Sequence, residues 1–246
     1  MDFCKTPAIT LRRTDYKDSS QIITFYTRDY GRIQTLAKGL KRSVKGISGG
    51  IDLLTYNNIV FIQRESSTLN ILTEWVLRDD FHLLRKNSKK YYSALYILEL
   101  VREFTEENDK NEHLFDLFIN TLYEMVNRGD PTVNTIAFEV QMLALIGYLP
   151  EMNHCVRCKA KMDAKSFSSF SASEGGLLCS GCGRSIREKV KISGGAIATI
   201  NFLVGKKIQD TGRLSIQSLI QVEIRKLLIY YLSFTLNKKL KMWRYI

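Results

Sequence analysis

The four cysteines between residues 155 and 182 constrain this chain more than any other feature. They lie in CVRCKAKMDAKSFSSFSASEGGLLCSGC, a C-x2-C-x20-C-x2-C spacing. Each CxxC pair folds as a tight knuckle that brings two thiolates to one ion, and paired knuckles at this distance favour zinc over an iron–sulfur cluster. Soft thiolates also select against magnesium and calcium. Cys155, Cys158, Cys179 and Cys182 would close a tetrahedral sphere, whereas catalytic zinc keeps one position open for water or substrate. One structural zinc ion is therefore expected, with Gly181 at the kind of turn position that needs positive φ. His154, adjacent to Cys155, is not expected to reach the same ion. The fifth cysteine, Cys4, reads as a free thiol on a short strand.

Paired CxxC spacings favour a metal over disulfides where thiols stay reduced. The N-terminus, MDFCKTPAITLRR, lacks the apolar core of about 7–15 residues that a signal peptide carries. No apolar run approaches the ~20 residues of a membrane span. The expectation is a cytoplasmic protein without a membrane partner.

The first 80 residues carry five short segments rich in Ile, Val, Thr, Tyr and Phe: Ala8–Thr14, Ser20–Thr27, Arg32–Lys38, Leu53–Gln63 and Ser67–Leu77. Turn-like breaks separate them, and alternation is visible in Ile33-Gln34-Thr35-Leu36. Five short strands suit a small closed barrel of the OB type, which removes exposed sheet edges. From Phe81 the period changes to three or four residues, as in Tyr91, Leu95, Leu98, Arg102 and in Leu114, Phe118, Leu122, Met125. Glu99, Glu103, Glu106 and Glu107 are assigned to the wetter side of the first of these helices. The stretch from Thr132 to Gly147 is apolar on most sides and reads as a buried helix. After the cysteines, Ser193 is a plausible N-cap for a helix from Ala196 to Gln209, and a last helix runs from Ile216 to Leu236 before a basic tail. The fold class is thus α+β: residues 1–80 an OB-type barrel, 81–150 the first part of a helical domain, 151–192 a Cys4 zinc-ribbon insertion, and 193–246 the rest of the helical domain.

The formal net charge is +11, and it is unevenly spread. Residues 1–80 hold 12 basic and 9 acidic side chains, residues 81–150 hold 7 and 10, and residues 151–246 hold 17 and 6. Basic ends suit a polyanionic partner, although a merely solvated surface would carry the same charge. The run GRIQTLAKGLKRSVK (31–45) gathers Arg32, Lys38, Lys41, Arg42 and Lys45 on one strand and its loop. On a barrel such a stripe would track a sugar–phosphate backbone, with Tyr26 and Tyr30 as the nearest rings for stacking; a solvated basic loop is the plainer alternative. Likewise Arg157, Lys159, Lys161 and Arg184 either balance a 2− metal–thiolate complex or also face phosphate. Gly46-Ile47-Ser48-Gly49-Gly50 matches G-x-S-x-G, but that motif needs an apolar strand before it and a helix after it. No Walker A, GxGxxG or HExxH sequence occurs, so nothing argues for an enzyme.

Three stretches resemble the RecO recombination mediator family. TRDYGRIQTLAKGLKRS (27–43) resembles its N-terminal barrel. FEVQMLALIGYLPEMNHCVRC (138–158) resembles its buried helix leading into the first zinc knuckle, and SEGGLLCSGC (173–182) its entry to the second. The resemblance spans almost the whole chain in order and spacing. It implies an OB-fold domain, a helical domain and a zinc-ribbon insertion. It also implies a non-enzymatic role in recombination and repair: binding single- and double-stranded DNA, annealing complementary strands and, with a RecR-type protein, helping load recombinase onto strands covered by single-strand-binding protein (SSB).

On this reading Arg32, Lys38, Lys41, Arg42 and Lys45 contact DNA backbone from the barrel, with Arg12, Arg13 and Arg64 as secondary contacts. Arg225 and Lys226 are candidates for the basic rim of a groove that captures the acidic SSB tail. Two other readings share parts of the pattern: an RNA-binding barrel protein with a zinc ribbon, which would read 2′-hydroxyls, and a zinc-ribbon nucleic-acid-modifying enzyme, whose catalytic constellation is not apparent.

Overall fold

The computed structural model describes residues 2–16, 19–38, 51–64, 69–127, 130–162, 168–211 and 214–246. The chain divides into two compact units, residues 1–122 and 123–246.

In the first unit, strands β1 (Phe3–Tyr16), β2 (Ser20–Thr27), β3 (Gly31–Ala37), β4 (Tyr56–Ile62) and β5 (Leu69–Asp79) form a closed barrel in the order β1-β2-β3-β5-β4. All neighbours are antiparallel except β3 and β5, which run parallel from Gln34 opposite Leu69 to Ala37 opposite Leu72. Side chains alternate on β3, on β4 and over the first six residues of β2, so Ile23, Phe25, Ile33, Ala37, Ile59 and Phe61 turn inward and form one apolar core with Leu72 of β5. Cys4 lies in the same core, on a strand far longer than the short one expected. Between Thr10 and Arg12 the β1–β2 register shifts. Leu11 is buried while every residue from Arg12 to Tyr16 is exposed, so the bulge turns the end of β1 away from the core.

Helices α1 (His82–Arg85), α2 (Ser88–Phe104) and the start of α3 (Glu112–Asn127) complete this unit. The connection between α2 and α3 folds onto the barrel at Gly31. That residue has φ 65°, and a Cβ there would stand 2.1 Å from the Asp109 carbonyl oxygen, so only glycine fits both the turn and the approach. The Asn108 amide donates to the Arg32 carbonyl at 2.9 Å, Gln34 donates to Glu107, and the Tyr26 hydroxyl donates to the Asn111 carbonyl. Arg28 completes the clasp, with both Asp116 oxygens within 3.1 Å and Glu112 at 3.0 Å. Glu99, expected on the wet side of α2, is instead only 5% exposed, and its Oε1 lies 3.9 Å from Arg102.

In the second unit, α4 (Pro131–Leu145) is buried along nearly its whole length, starting at an Asp130 cap that accepts from the Thr132 amide at 2.9 Å with proline at the first turn. It packs against α5 (Gly194–Val204), α6 (Ile208–Thr211) and α7 (Ser218–Leu236). The Ser193 hydroxyl caps α5 as its sequence implies, accepting from the Ala196 amide, and it is itself gripped by Glu223 of α7. Two strands between the CxxC pairs, β6 (Ser168–Ser171) and β7 (Gly176–Leu178), and one after the second pair, β8 (Val190–Ile192), form a three-stranded antiparallel sheet in the order β7-β6-β8. Phe170 at its centre is fully buried against Tyr231 of α7, ring centroids 5.6 Å apart. Among the described residues no helix is long and apolar enough to cross a membrane.

Candidate metal centre and nucleic-acid interface

The two knuckles are built by short-range backbone bonds. In the first, the Lys159 amide donates to the Cys155 carbonyl at 2.9 Å and the Cys155 amide to Ala160 at 2.8 Å. In the second, the Gly183 amide donates to the Cys179 carbonyl at 2.8 Å and the Cys182 amide to the Cys179 sulfur at 3.4 Å. The left-handed residue is Lys159, with φ 61°, and not Gly181, whose φ of −70° any residue can adopt. Glycine at 181 therefore answers no backbone demand, and the sequence expectation for it fails.

The sulfurs of Cys155, Cys158, Cys179 and Cys182 all lie within 4.8 Å of one another, and those of Cys158 and Cys179 are 3.7 Å apart. Zinc–sulfur bonds of about 2.3 Å at tetrahedral angles place sulfurs ~3.8 Å apart, so the donor set fits such an ion. Burial raises the Cys155 thiol, but hydrogen bonds from the backbones of Cys158, Cys179 and Arg157 outweigh it and bring the group down to about 6. Cys182, beside Cys179 and Cys158, is pushed up to about 12. Thiolates this close repel one another, and a soft dication is what allows all four to ionise together. His154 stands apart from the cluster, its Nδ1 3.7 Å from Glu151. Arg157 is held by both oxygens of Glu174 at 2.9 Å, an internal role, while Lys159, Lys161 and Arg184 are exposed.

On the barrel, Arg32 lies on the outward face of β3 near its start, and Lys38 follows directly after the strand's last residue, Ala37. Lys38 is exposed. Arg32 is half-buried under the α2–α3 connection, and its Nε is buried without a hydrogen-bond partner. Arg12, Arg13 and Arg64 are exposed, and Arg13 also donates to the Ile51 carbonyl at 3.2 Å. Lys41, Arg42 and Lys45, together with the G-x-S-x-G of 46–50, lie outside the described residues. Neither ring expected to stack bases is free for it. Tyr26 is fully buried, and Tyr30 packs edge-on against Phe61 at 5.3 Å. Tyr26 lies on the outer face of β2, since Gln21, Ile23 and Phe25 alternate inward, and it is covered from outside the barrel by Phe115 and the Asn111 carbonyl, a tertiary contact that the period of the strand does not show. On α7, Lys226 is exposed, and Arg225 is half-buried with Nη2 buried and lacking a hydrogen-bond partner.

These features define a class: an OB-type barrel followed by a helical half that carries a four-thiolate, metal-type clip. Residues 1–81 match the family model described as "Recombination protein O N terminal", and residues 85–244 the one described as "Recombination protein O C terminal". The chain is 29% identical over 241 residues to the DNA repair protein RecO of Caldicellulosiruptor bescii, covering 98% of this chain and 96% of that one. It is 28% identical over 246 residues to that of Pelotomaculum thermopropionicum, covering 100% and 94%, and 32% identical over 176 residues to that of Rhodopirellula baltica, covering 71% and 65%. The chain belongs to the RecO family of DNA repair proteins, recombination mediators rather than enzymes.

Proposed function

We propose that this protein binds single- and double-stranded DNA, anneals complementary strands and, with a RecR-type partner, helps load recombinase onto SSB-coated single strands at the bacterial nucleoid. The observation that carries this reading is an OB-type barrel with exposed cations at Arg12, Arg13, Lys38 and Arg64, in a chain whose relatives are named DNA repair proteins. Lys41, Arg42 and Lys45 add to this set by sequence. Contacts of this type grip phosphate without reading bases, and they weaken steeply with salt. Annealing brings two polyanions together, so a mediator must screen their repulsion with its own positive charge.

Zinc is the metal proposed for Cys155, Cys158, Cys179 and Cys182. Its role would be to hold the β6–β8 sheet in shape, since four thiolates leave no position for a substrate. The buried, unpartnered Nη2 of Arg225 supports a further element of the proposal, capture of the carboxylate-rich SSB tail along α7 with Lys226 on its rim.

The test is single-strand affinity measured against salt with Lys38, Lys41 and Arg42 replaced by alanine. Each lost contact should flatten the slope by roughly 0.7. An unchanged slope would remove these residues from the interface.

A further inference from the structure

Between Asp80 and Glu99 the chain has no acidic residue, and Arg85 to Tyr92 reads RKNSKKYY. This stretch is the turn from α1 into α2, in the same unit as the barrel. Arg85, Lys86, Lys89 and Tyr92 are exposed there and Lys90 is half-buried.

Arg85 fixes the turn to the barrel. Its Nη2 donates to the Leu53 carbonyl at 2.9 Å and lies 3.5 Å from Asp52. Its Nη1 donates to the Tyr91 hydroxyl at 3.1 Å, and the guanidinium sits 5.3 Å from the centre of the Tyr91 ring. Arg13 of β1 donates to Ile51 on the same short stretch of backbone. Two arginines from different elements thus clamp residues 51–53, which places the α1–α2 lysines in register with the barrel and not on an independent arm. Beside them the Tyr92 ring, 37% exposed, stands 6.3 Å from that of Tyr91.

We propose that the α1–α2 turn is a second single-stranded DNA contact, in which Lys86, Lys89 and Lys90 hold phosphates and Tyr92 stacks a base. Cations grouped around an exposed ring are the arrangement that tracks a flexible polyanion with accessible bases. A duplex keeps its bases stacked inside and could use only the lysines, so the ring selects the single strand. The proposal rests on the DNA-binding reading above and adds to it a site outside the barrel strands.

The experiment uses the full chain and a fluorescein-labelled oligothymidine, with affinity followed by anisotropy across a salt series. Replacing Lys86, Lys89 and Lys90 together by alanine should lower the salt slope by about 2, at roughly 0.7 per contact. Tyr92→Ala should weaken binding between roughly fivefold and a hundredfold with the slope unchanged, because stacking releases no counterions, and Tyr92→Phe should bind as the parent does. Alanine is the best helix former, so α2 is retained, which far-UV circular dichroism checks. If the parent protein binds oligothymidine while the triple variant keeps its slope and Tyr92→Ala its affinity, the turn is not a contact and the barrel reading stands. If the parent does not bind, both fall.

Discussion

Replacing Cys179 by serine removes one of four ligands and opens the loop that the metal would close. The 20 residues between Cys158 and Cys179 form that loop. Treated as a cross-link, closing it limits the unfolded chain by an entropy worth ~3 kcal/mol at room temperature. That is a fifth to over half of the ~5–15 kcal/mol that holds a domain folded. The apolar contacts of the sheet offset the loss only in part. Phe170, Leu177, Leu178 and Ile192 are buried, but their strands are three or four residues long and gain little on their own. Gly176 also lies so close to the Glu151 backbone that the first knuckle and β7 must form together, since a Cβ there would stand 2.5 Å from the Glu151 carbonyl oxygen. The thermal midpoint of the C-terminal unit should therefore drop by roughly 10 °C or more. Differential scanning calorimetry with metal content measured on the same sample reads this, and hydrogen exchange should localise the loosening to residues 151–192 and the facing side of α7. Barrel-borne affinity for single strands should persist in the variant below its midpoint. A variant with the parent's midpoint that has lost its metal would refute the clip argument. One that keeps its stability and loses DNA binding would make the cluster part of the interface.

Two further outcomes follow from the N-terminal unit. Gly31→Ala should cost upwards of ~2 kcal/mol, read as a lower urea midpoint, because the left-handed backbone is strained for alanine and its Cβ meets the Asp109 backbone; an unshifted midpoint would mean that the α2–α3 connection does not clasp the barrel. Glu112 is held below its ordinary value of 4.5, first by its hydrogen bond to Lys110 and then by the charges of Lys110 and Arg28. Its contribution is complete above that ordinary value and fades as pH falls through the lowered one, so Glu112→Gln should flatten the acid limb of stability below about pH 5, and an identical limb in both proteins would contradict the pairing.

The barrel was legible in the sequence because its strands alternate. Ser20–Thr27 matches β2 to the residue, and the Arg32 and Leu53 segments locate β3 and β4. The full length of β1 was not, because its first residues carry Lys5 and Pro7 on an edge that only pairing with β4 makes a strand. The four metal ligands were legible from spacing alone, and the fine geometry of the knuckles was not: the left-handed position fell on a lysine, which no propensity would choose. The β6–β8 sheet escaped notice because SSFS and GLL carry no period, and their pairing is a tertiary fact. Tyr26 and Glu99 were misplaced for a related reason. Each is polar at one end, and the sequence does not say that Asn111 would receive the hydroxyl or that Arg102 would lie beside the carboxylate. The acid-free run from Phe81 to Leu98 was visible throughout, but its meaning depended on Arg85 reaching Leu53.

The central claim is that this chain brings complementary DNA strands together through its own charge. The direct measurement is the annealing rate of two complementary labelled DNA oligonucleotides, without nucleotide triphosphate, with and without SSB, and with RNA oligonucleotides of the same sequence run alongside. The expected result is accelerated annealing of DNA that continues on SSB-coated strands and slows steeply as salt rises. Annealing confined to RNA, or no acceleration over the protein-free rate at low salt, would contradict it.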